Sequence, residues 1–352
     1  MDFLKNINIF RRNLTIKITQ NIGNSKTAKN KYKSIDRNAV KRVLISRPNH
    51  RLGNMLLITP MVQEVKNIFP NCTIDLFVKG TVANVVFENY EYVNEVISLP
   101  KKHFKQLGQY LSSWFSLKRK KYDLAVNCIE YSSSGRISTQ LANAENKFFG
   151  AELHESTINS SKEDLHHIAK NTIYGLRNYL SKCNVQFDSF EIPNLDIKLS
   201  PEEVSQGKNS IDNLVEKNKK TIAIFTYATG NKCYSTEWWC TFYESLKNTF
   251  PNHNIIEILP VENISMINFQ APSFYSKDIR EIASVIANTE CFIGADSGMM
   301  HLASASLTKT IGLFAFTNIA TYKPYGNGSF AIDTNVNSIE DCVATVAKSL
   351  TV

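Results

Sequence analysis

Three short stretches of this 352-residue chain combine residue types suited to holding anions and polar small molecules. The first is Arg47-Pro48-Asn49-His50-Arg51-Leu52-Gly53-Asn54, which follows a strand-like run and opens a helical pattern. Gly53 permits a turn that side chains resist, and a helix N-terminus offers free N–H groups to an anion. Arg47, Arg51 and His50 suit a negatively charged or hydroxyl-rich ligand. The second stretch is Thr226-Tyr227-Ala228-Thr229-Gly230-Asn231-Lys232. Small residues such as Thr229 let the backbone approach a ligand, and Lys232 can meet phosphate as a point charge. The spacing of a Walker A loop is missing. The third is Gly294-Ala295-Asp296-Ser297-Gly298-Met299-Met300-His301. Here the N–H groups of the helix starting at Gly298 can hold a diphosphate. Asp296 can accept from sugar hydroxyls and Ser297 can donate to phosphate. His301 is a phosphate donor or, alternatively, a core histidine. Ala295 and Met299 replace the glycines of a nucleophile elbow, which argues against a serine hydrolase.

The elements that must position these stretches alternate strand, turn and helix from Lys41 onward. Val43-Leu44-Ile45, Thr73–Val78, Val93–Ile97 and Leu124–Cys128 read as strands. Residues 54–69, 82–87, 103–120 and 132–144 read as helices between them. The second half repeats the pattern, with strands at 221–226, 254–259, 291–294 and 310–314 and helices at 236–249, 278–289, 298–306 and 338–350. Such alternation means parallel sheets covered by helices on both faces. In these α/β sheets ligands bind beyond the carboxyl ends of the strands, where all three stretches fall. A polar segment near 184–194 separates the halves, so the expected domains are 41–190 and 191–352, facing a cleft.

Residues 1–40 form a distinct arm and linker. Phe3, Ile7, Phe10, Leu14 and Ile18 recur at helical steps, with Lys5, Arg11, Arg12 and Lys17 largely off that stripe. A basic amphipathic helix of this kind can lie on an anionic membrane surface or pack its stripe on its own domain. The chain's net charge of +8 is concentrated there: residues 1–47 carry +10 and the remainder −2. A near-neutral body gives little reason to expect a nucleic-acid partner. Apolar runs are far shorter than the ~20 residues of a membrane span, and no signal peptide is evident. Seven cysteines at scattered positions, without a CxxC pair, point away from a disulfide framework or zinc site and fit a cytoplasmic protein.

The stretches together resemble glycosyltransferase family 9, the ADP-heptose:lipopolysaccharide heptosyltransferases. Val43–Pro60 (VLISRPNHRLGNMLLITP) is similar to the family's opening strand, Leu-Gly-Asp and Leu-x-Thr-Pro, and Pro70–Val78 to its next strand. Lys232–Trp239 (KCYSTEWW) resembles the family's Lys-Arg-Trp-Pro-x-Glu-x-Trp. Phe292–Ala305 (FIGADSGMMHLASA) looks like its Asp-Ser-Gly-x-x-His-Leu-Ala-Ala run, and Thr317 and Tyr325-Gly326 continue it. The resemblance covers about 41–330. It implies a GT-B fold, with two Rossmann-like domains, the acceptor bound in the first and the nucleotide sugar in the second. It implies inverting, metal-independent transfer with no cofactor beyond the donor, acting on a lipid-linked or lipopolysaccharide-core acceptor. By position, Lys232 would hold donor phosphate. Asp296, Ser297, Gly298 and His301 would form the diphosphate and sugar loop, with Thr229 nearby and Glu262 beside the nucleotide ribose. Arg47, Arg51, Gly53 and Arg136 are the candidate acceptor contacts.

One position departs from the family. Its Leu-Gly-Asp is here Leu52-Gly53-Asn54. That Asp is taken as the general base in the family, and an amide cannot accept the proton. His50 in the same loop is one replacement, since an imidazole pKa near ~6.5 suits the task. Glu130, after the strand Leu124–Cys128 and beside Ser132-Ser133-Ser134-Gly135-Arg136, is another. The third alternative is a catalytically silent protein that binds a nucleotide sugar or glycan. The arm then fits an enzyme peripheral to the cytoplasmic face of an inner membrane.

Overall fold

The computed structural model describes residues 17, 19, 22, 32–101, 106–150, 163–188 and 191–351. The amphipathic stripe expected over Phe3–Ile18 lies outside them. Two compact units result: Met1–His50 with Pro60–Asn84 and Tyr90–Pro193, and Arg51–Thr59 with Val85–Asn89 and Asn194–Val352. The main division falls at Pro193/Asn194, a few residues past the expected boundary. Two short segments of the first half of the chain, Arg51–Thr59 and Val85–Asn89, group with the second unit.

In the first unit, β1 (Arg42–Ser46), β2 (Thr73–Lys79), β3 (Val93–Leu99), β4 (Lys121–Asn127) and β5 (Asn143–Phe148) form one parallel sheet in the order β3-β2-β1-β4-β5. Val43, Leu44 and Ile45 of β1 are wholly buried, as a central strand covered on both faces must be. The chain leaves β1 toward β2 on one side and returns to place β4 on the other. The β1 and β4 loops therefore flank the topological switch point of this sheet.

The run read as a single helix over 54–69 is two helices, α1 (Leu52–Leu56) and α2 (Thr59–Ile68). Pro60 is the reason. Its nitrogen has no hydrogen to give the carbonyl of Leu56, and its ring crowds that carbonyl. The Thr59 hydroxyl donates to the Leu56 oxygen instead, at 2.8 Å, and accepts from the Asp196 backbone N–H at 3.2 Å. The other helices are α3 (Val82–Val86), α4 (Leu107–Arg119), α5 (Ser133–Leu141) and α6 (Ile168–Lys182). Ser132 caps α5 by accepting from the Gly135 N–H.

The second unit contains α7 (Pro201–Leu214), β6 (Thr221–Phe225), α8 (Thr236–Thr249), β7 (Asn254–Ile258), β8 (Ser273–Phe274), α9 (Ile279–Ala287), β9 (Cys291–Ala295), α10 (Gly298–Ala305), β10 (Thr310–Phe314), α11 (Ile319–Tyr322), β11 (Phe330–Asp333) and α12 (Ile339–Leu350). Its sheet is also parallel, ordered β11-β10-β9-β6-β7-β8, with the switch point between β6 and β9. Helices α8 and α12 bury Trp239, Phe242, Leu246, Cys342 and Val346 with Ile222, Ile224, Ile293 and Ile311 of the strands.

Helix α7 has a sequence signature of its own: Ser200 and Glu203 form a complete capping box around Pro201. Glu203 also pairs with buried Arg280, at 2.5 Å from its Nε and 2.8 Å from Nη2. The same guanidinium donates to the carbonyls of Val85, Ile197 and Lys198. One side chain thus ties α9 to the segment before α7 and to Val85–Asn89, which explains why that segment groups with the second unit. No helix among the described residues is long and apolar enough to cross a membrane.

Candidate functional site

The second unit brings three sequence-distant stretches together at its switch point. Lys232 stands on the loop after β6 and Asp296 on the loop after β9, and the Lys232 ammonium pairs with Asp296 Oδ2. Asp296 is buried, while Lys232 keeps more than a third of its side chain exposed. The Lys232 ammonium also lies 5.9 Å from the centre of the Tyr322 ring. Ser297 caps α10, its hydroxyl accepting from the Met300 N–H at 3.3 Å. That use leaves the hydroxyl hydrogen free to donate.

The third stretch is α1. A Cβ placed on Gly53 would lie 3.0 Å from His301 Cδ2 and 3.3 Å from Gly298 Cα. One placed on Gly298 would lie 3.4 Å from the Gly53 nitrogen. Glycine is required on the α1 side for the two helix N-termini to approach this closely. Asn54, which follows Gly53, is therefore carried on a helix packed against the Asp296–His301 loop.

His301 is buried, with Nε2 4.0 Å from Asp296 Oδ1. That distance is too long for a hydrogen bond, and Lys232 already neutralises the carboxylate. Burial drives the His301 pKa well below the ordinary imidazole value, opposed by Asp296 and reinforced by Lys232. The ring is neutral at pH 7, a partner by hydrogen bonding rather than by charge.

The neighbouring β7 loop rests on a buried carboxylate. Glu257, at the end of β7, accepts from the Thr226 hydroxyl at 2.5 Å. Thr226 in turn accepts from the Met266 N–H at 3.0 Å. Burial raises the Glu257 pKa above the usual carboxylate range. This pair fixes the 260–266 loop from below and leaves Glu262 on its exposed rim. Sequence reading missed it, although a lone Glu in the run Asn254-Ile-Ile-Glu-Ile-Leu was a usable signal. Thr229 is exposed on the β6 loop.

In the first unit, the β1 loop carries buried Arg47 and exposed His50; Arg51, the first residue of the segment that groups with the second unit, is exposed before α1. The loop is anchored by backbone bonds, Arg47 N–H to the Phe77 carbonyl and Lys79 N–H to the Asn49 carbonyl. Glu130 lies on the β4 loop at the same switch point. Asn127 shapes that loop by donating to the carbonyls of Ile129 and Phe149 at 2.7 and 3.0 Å. Gly150, at φ +84°, leaves room for the Glu130 backbone. The Glu130 carboxylate lies beside the Tyr131 hydroxyl and raises its pKa.

Arg136 stands on α5. Its guanidinium is buried and donates to the carbonyls of Thr19, Ile22 and Glu130. Thr19 is itself buried and bonded to Ser133 at 2.8 Å. Through these bonds Arg136 holds Thr19 and Ile22 near α5.

Two parallel, doubly wound Rossmann-like units with polar loops at their switch points make up the GT-B fold. Residues 276–349 match the model of glycosyltransferase family 9 (heptosyltransferase). The chain is 21% identical over 291 residues to lipopolysaccharide heptosyltransferase 3 of Escherichia coli, covering 78% of this chain and 84% of that protein. Among solved structures, a family 9 glycosyl transferase of Veillonella parvula superposes with a TM-score of 0.68 at 16% identity, over 90% of this chain and 98% of that one. The ADP-heptose LPS heptosyltransferase II of E. coli gives 0.61 at 14% identity, over 88% and 97%. The E. coli heptosyltransferase WaaC, solved with ADP, gives 0.59 at 14%, over 88% and 98%. The chain is thus similar to family 9 glycosyltransferases, with the family's match carried by residues 276–349.

Proposed function

We propose that this enzyme moves a heptose or related sugar from a nucleotide-diphosphate donor to a lipopolysaccharide-core or other surface-glycan acceptor, with inversion and without a metal. The observation that carries the reading is the meeting of Lys232, Asp296 and the Gly53–Gly298–His301 contact at one switch point. Lys232 and the first N–H groups of α10 neutralise the leaving diphosphate. Asp296 and Ser297 orient it, and Glu262 on the β7 loop takes the ribose hydroxyls. The acceptor hydroxyl attacks the anomeric carbon opposite the departing diphosphate, so a single displacement inverts the centre. His50 takes the proton of that hydroxyl, since Asn54 cannot.

The arm of residues 1–40 supports a site of action at the cytoplasmic face of an anionic membrane, where a lipid-linked acceptor is presented. The presence of Asn54 favours one second reading, a silent protein that binds the donor without transferring it. Thermal unfolding with a panel of nucleotide sugars, followed by donor turnover with a glycan acceptor, tests both. A raised melting temperature with turnover supports transfer, and a raised temperature without turnover on any acceptor supports the silent binder. No stabilisation by any nucleotide sugar overturns both.

A further inference from the structure

Helix α4 of the first unit carries apolar residues on more of its circumference than its own core uses. Leu117 is buried, and Tyr110 and Trp114 pack beside it against Phe77, with the Trp114 and Phe77 rings 5.0 Å apart. The adjoining stripe of Leu107, Leu111 and Phe115, spaced at steps of four, is left 55%, 53% and 58% exposed. Three large apolar side chains in a row on a solvent-facing helix cost solubility and mark a contact surface.

The charge around the stripe identifies what covers it. Residues 101–121 hold seven Lys and Arg and no Asp or Glu. The net −2 of residues 48–352 thus conceals a local basic excess. Lys120 and Lys121 are paired with Glu95 and Glu145. Lys101, Lys118 and Arg119 are exposed, and no acidic side chain among the described residues pairs with them. The N-terminal arm is a poor cover for this surface, because it is itself strongly basic and would be repelled. A second copy of the chain would bring the same basic excess to the contact.

We infer that α4 is an interfacial element that seats Leu107, Leu111 and Phe115 in an anionic lipid surface, with Lys118 and Arg119 meeting the headgroups. An apolar stripe rimmed by cations is the pattern such helices share. The site is separate from the arm and requires no donor or acceptor, so it stands or falls apart from the transfer reaction.

Sedimentation with vesicles tests it. The protein lacking residues 1–16 is mixed with vesicles of phosphatidylcholine alone or with phosphatidylglycerol added. The truncated protein is expected to bind only the phosphatidylglycerol vesicles, and less as salt rises. The triple substitution Leu107→Gln, Leu111→Gln, Phe115→Gln is expected to lower that partitioning at least tenfold. Lys118→Gln with Arg119→Gln is expected to lower it severalfold. Far-ultraviolet dichroism and nucleotide-sugar stabilisation, unchanged from the parent, show that the variants remain folded. Equal vesicle binding by the triple variant overturns the inference, as does the absence of any vesicle binding by the truncated protein. A dimer in solution that the triple variant dissociates also overturns it, in favour of self-association.

Discussion

The two switch points share a topology and differ in how their loops are held. In the second unit the loops after β6 and β9 present side chains already engaged with one another: Lys232 on Asp296, and His301 buried against Gly53. In the first unit the loops after β1 and β4 are fixed mainly through backbone groups, by Asn127 and the bonds around Arg47, and His50 stays exposed. A preorganised charged pocket suits a constant ligand such as a nucleotide diphosphate. A loop with a held backbone and an exposed imidazole suits proton transfer to a more variable partner.

The difference can be broken from the first unit, where the largest effect is expected. If His50 is the base, His50→Ala lowers kcat by ~10²–10⁴-fold, the usual worth of a general base, while donor affinity is unchanged. The acid limb of the kcat profile disappears with it. An unchanged profile moves the role to Glu130, whose replacement by Gln is then expected to lower kcat instead. In the second unit, Lys232→Ala is expected to weaken donor binding by ~100-fold, or ~2.7 kcal/mol, measured by calorimetry. A change in kcat with donor affinity intact would make the two loops alike and end the comparison.

Smaller effects sharpen it. Gly53→Ala forces a methyl group against the His301 ring and the Gly298 backbone, and is expected to cost ~1–3 kcal/mol in thermal unfolding. The same change at Gly108 of α4, where nothing lies near a new Cβ, is expected to be neutral or slightly stabilising. The smallest effect is on pH dependence. His301 is held neutral by burial, so the unfolded chain binds its proton more readily than the folded one. Its contribution is complete above pH ~6.5 and is lost as pH falls from there toward its lowered folded value. Replacing His301 with Gln is expected to flatten the fall in melting temperature between pH 7 and 5.

Much of the fold was legible because buried parallel strands read as apolar runs and βα loops as breaks. The runs at Val43 and Thr221 and the loops carrying His50, Lys232 and Asp296 were placed directly. Helix α7 was overlooked despite Ser200-Pro201-Glu202-Glu203, a complete cap written in the sequence. The split at Leu57-Ile58 was also written there, as Pro60, but apolar periodicity ran through it and masked the stop. The exposure of Leu107, Leu111 and Phe115 was not legible, since an apolar stripe on a helix reads the same whether it faces a core or a surface.

The sequence by itself determined which residues stand at the carboxyl ends of which strands, because alternation and loop composition are local properties. It also determined the departure at Asn54, a matter of side-chain chemistry. Only the tertiary structure decided which of those residues meet. Lys232 and Asp296 are 64 positions apart, and parallel pairing of β6 with β9 makes them an ion pair. Gly53 reaches His301 because it lacks the Cβ that would press on the imidazole ring at 3.0 Å. Arg136 donates to the Thr19, Ile22 and Glu130 carbonyls, because a buried guanidinium must spend its N–H groups on acceptors that the fold brings beside it.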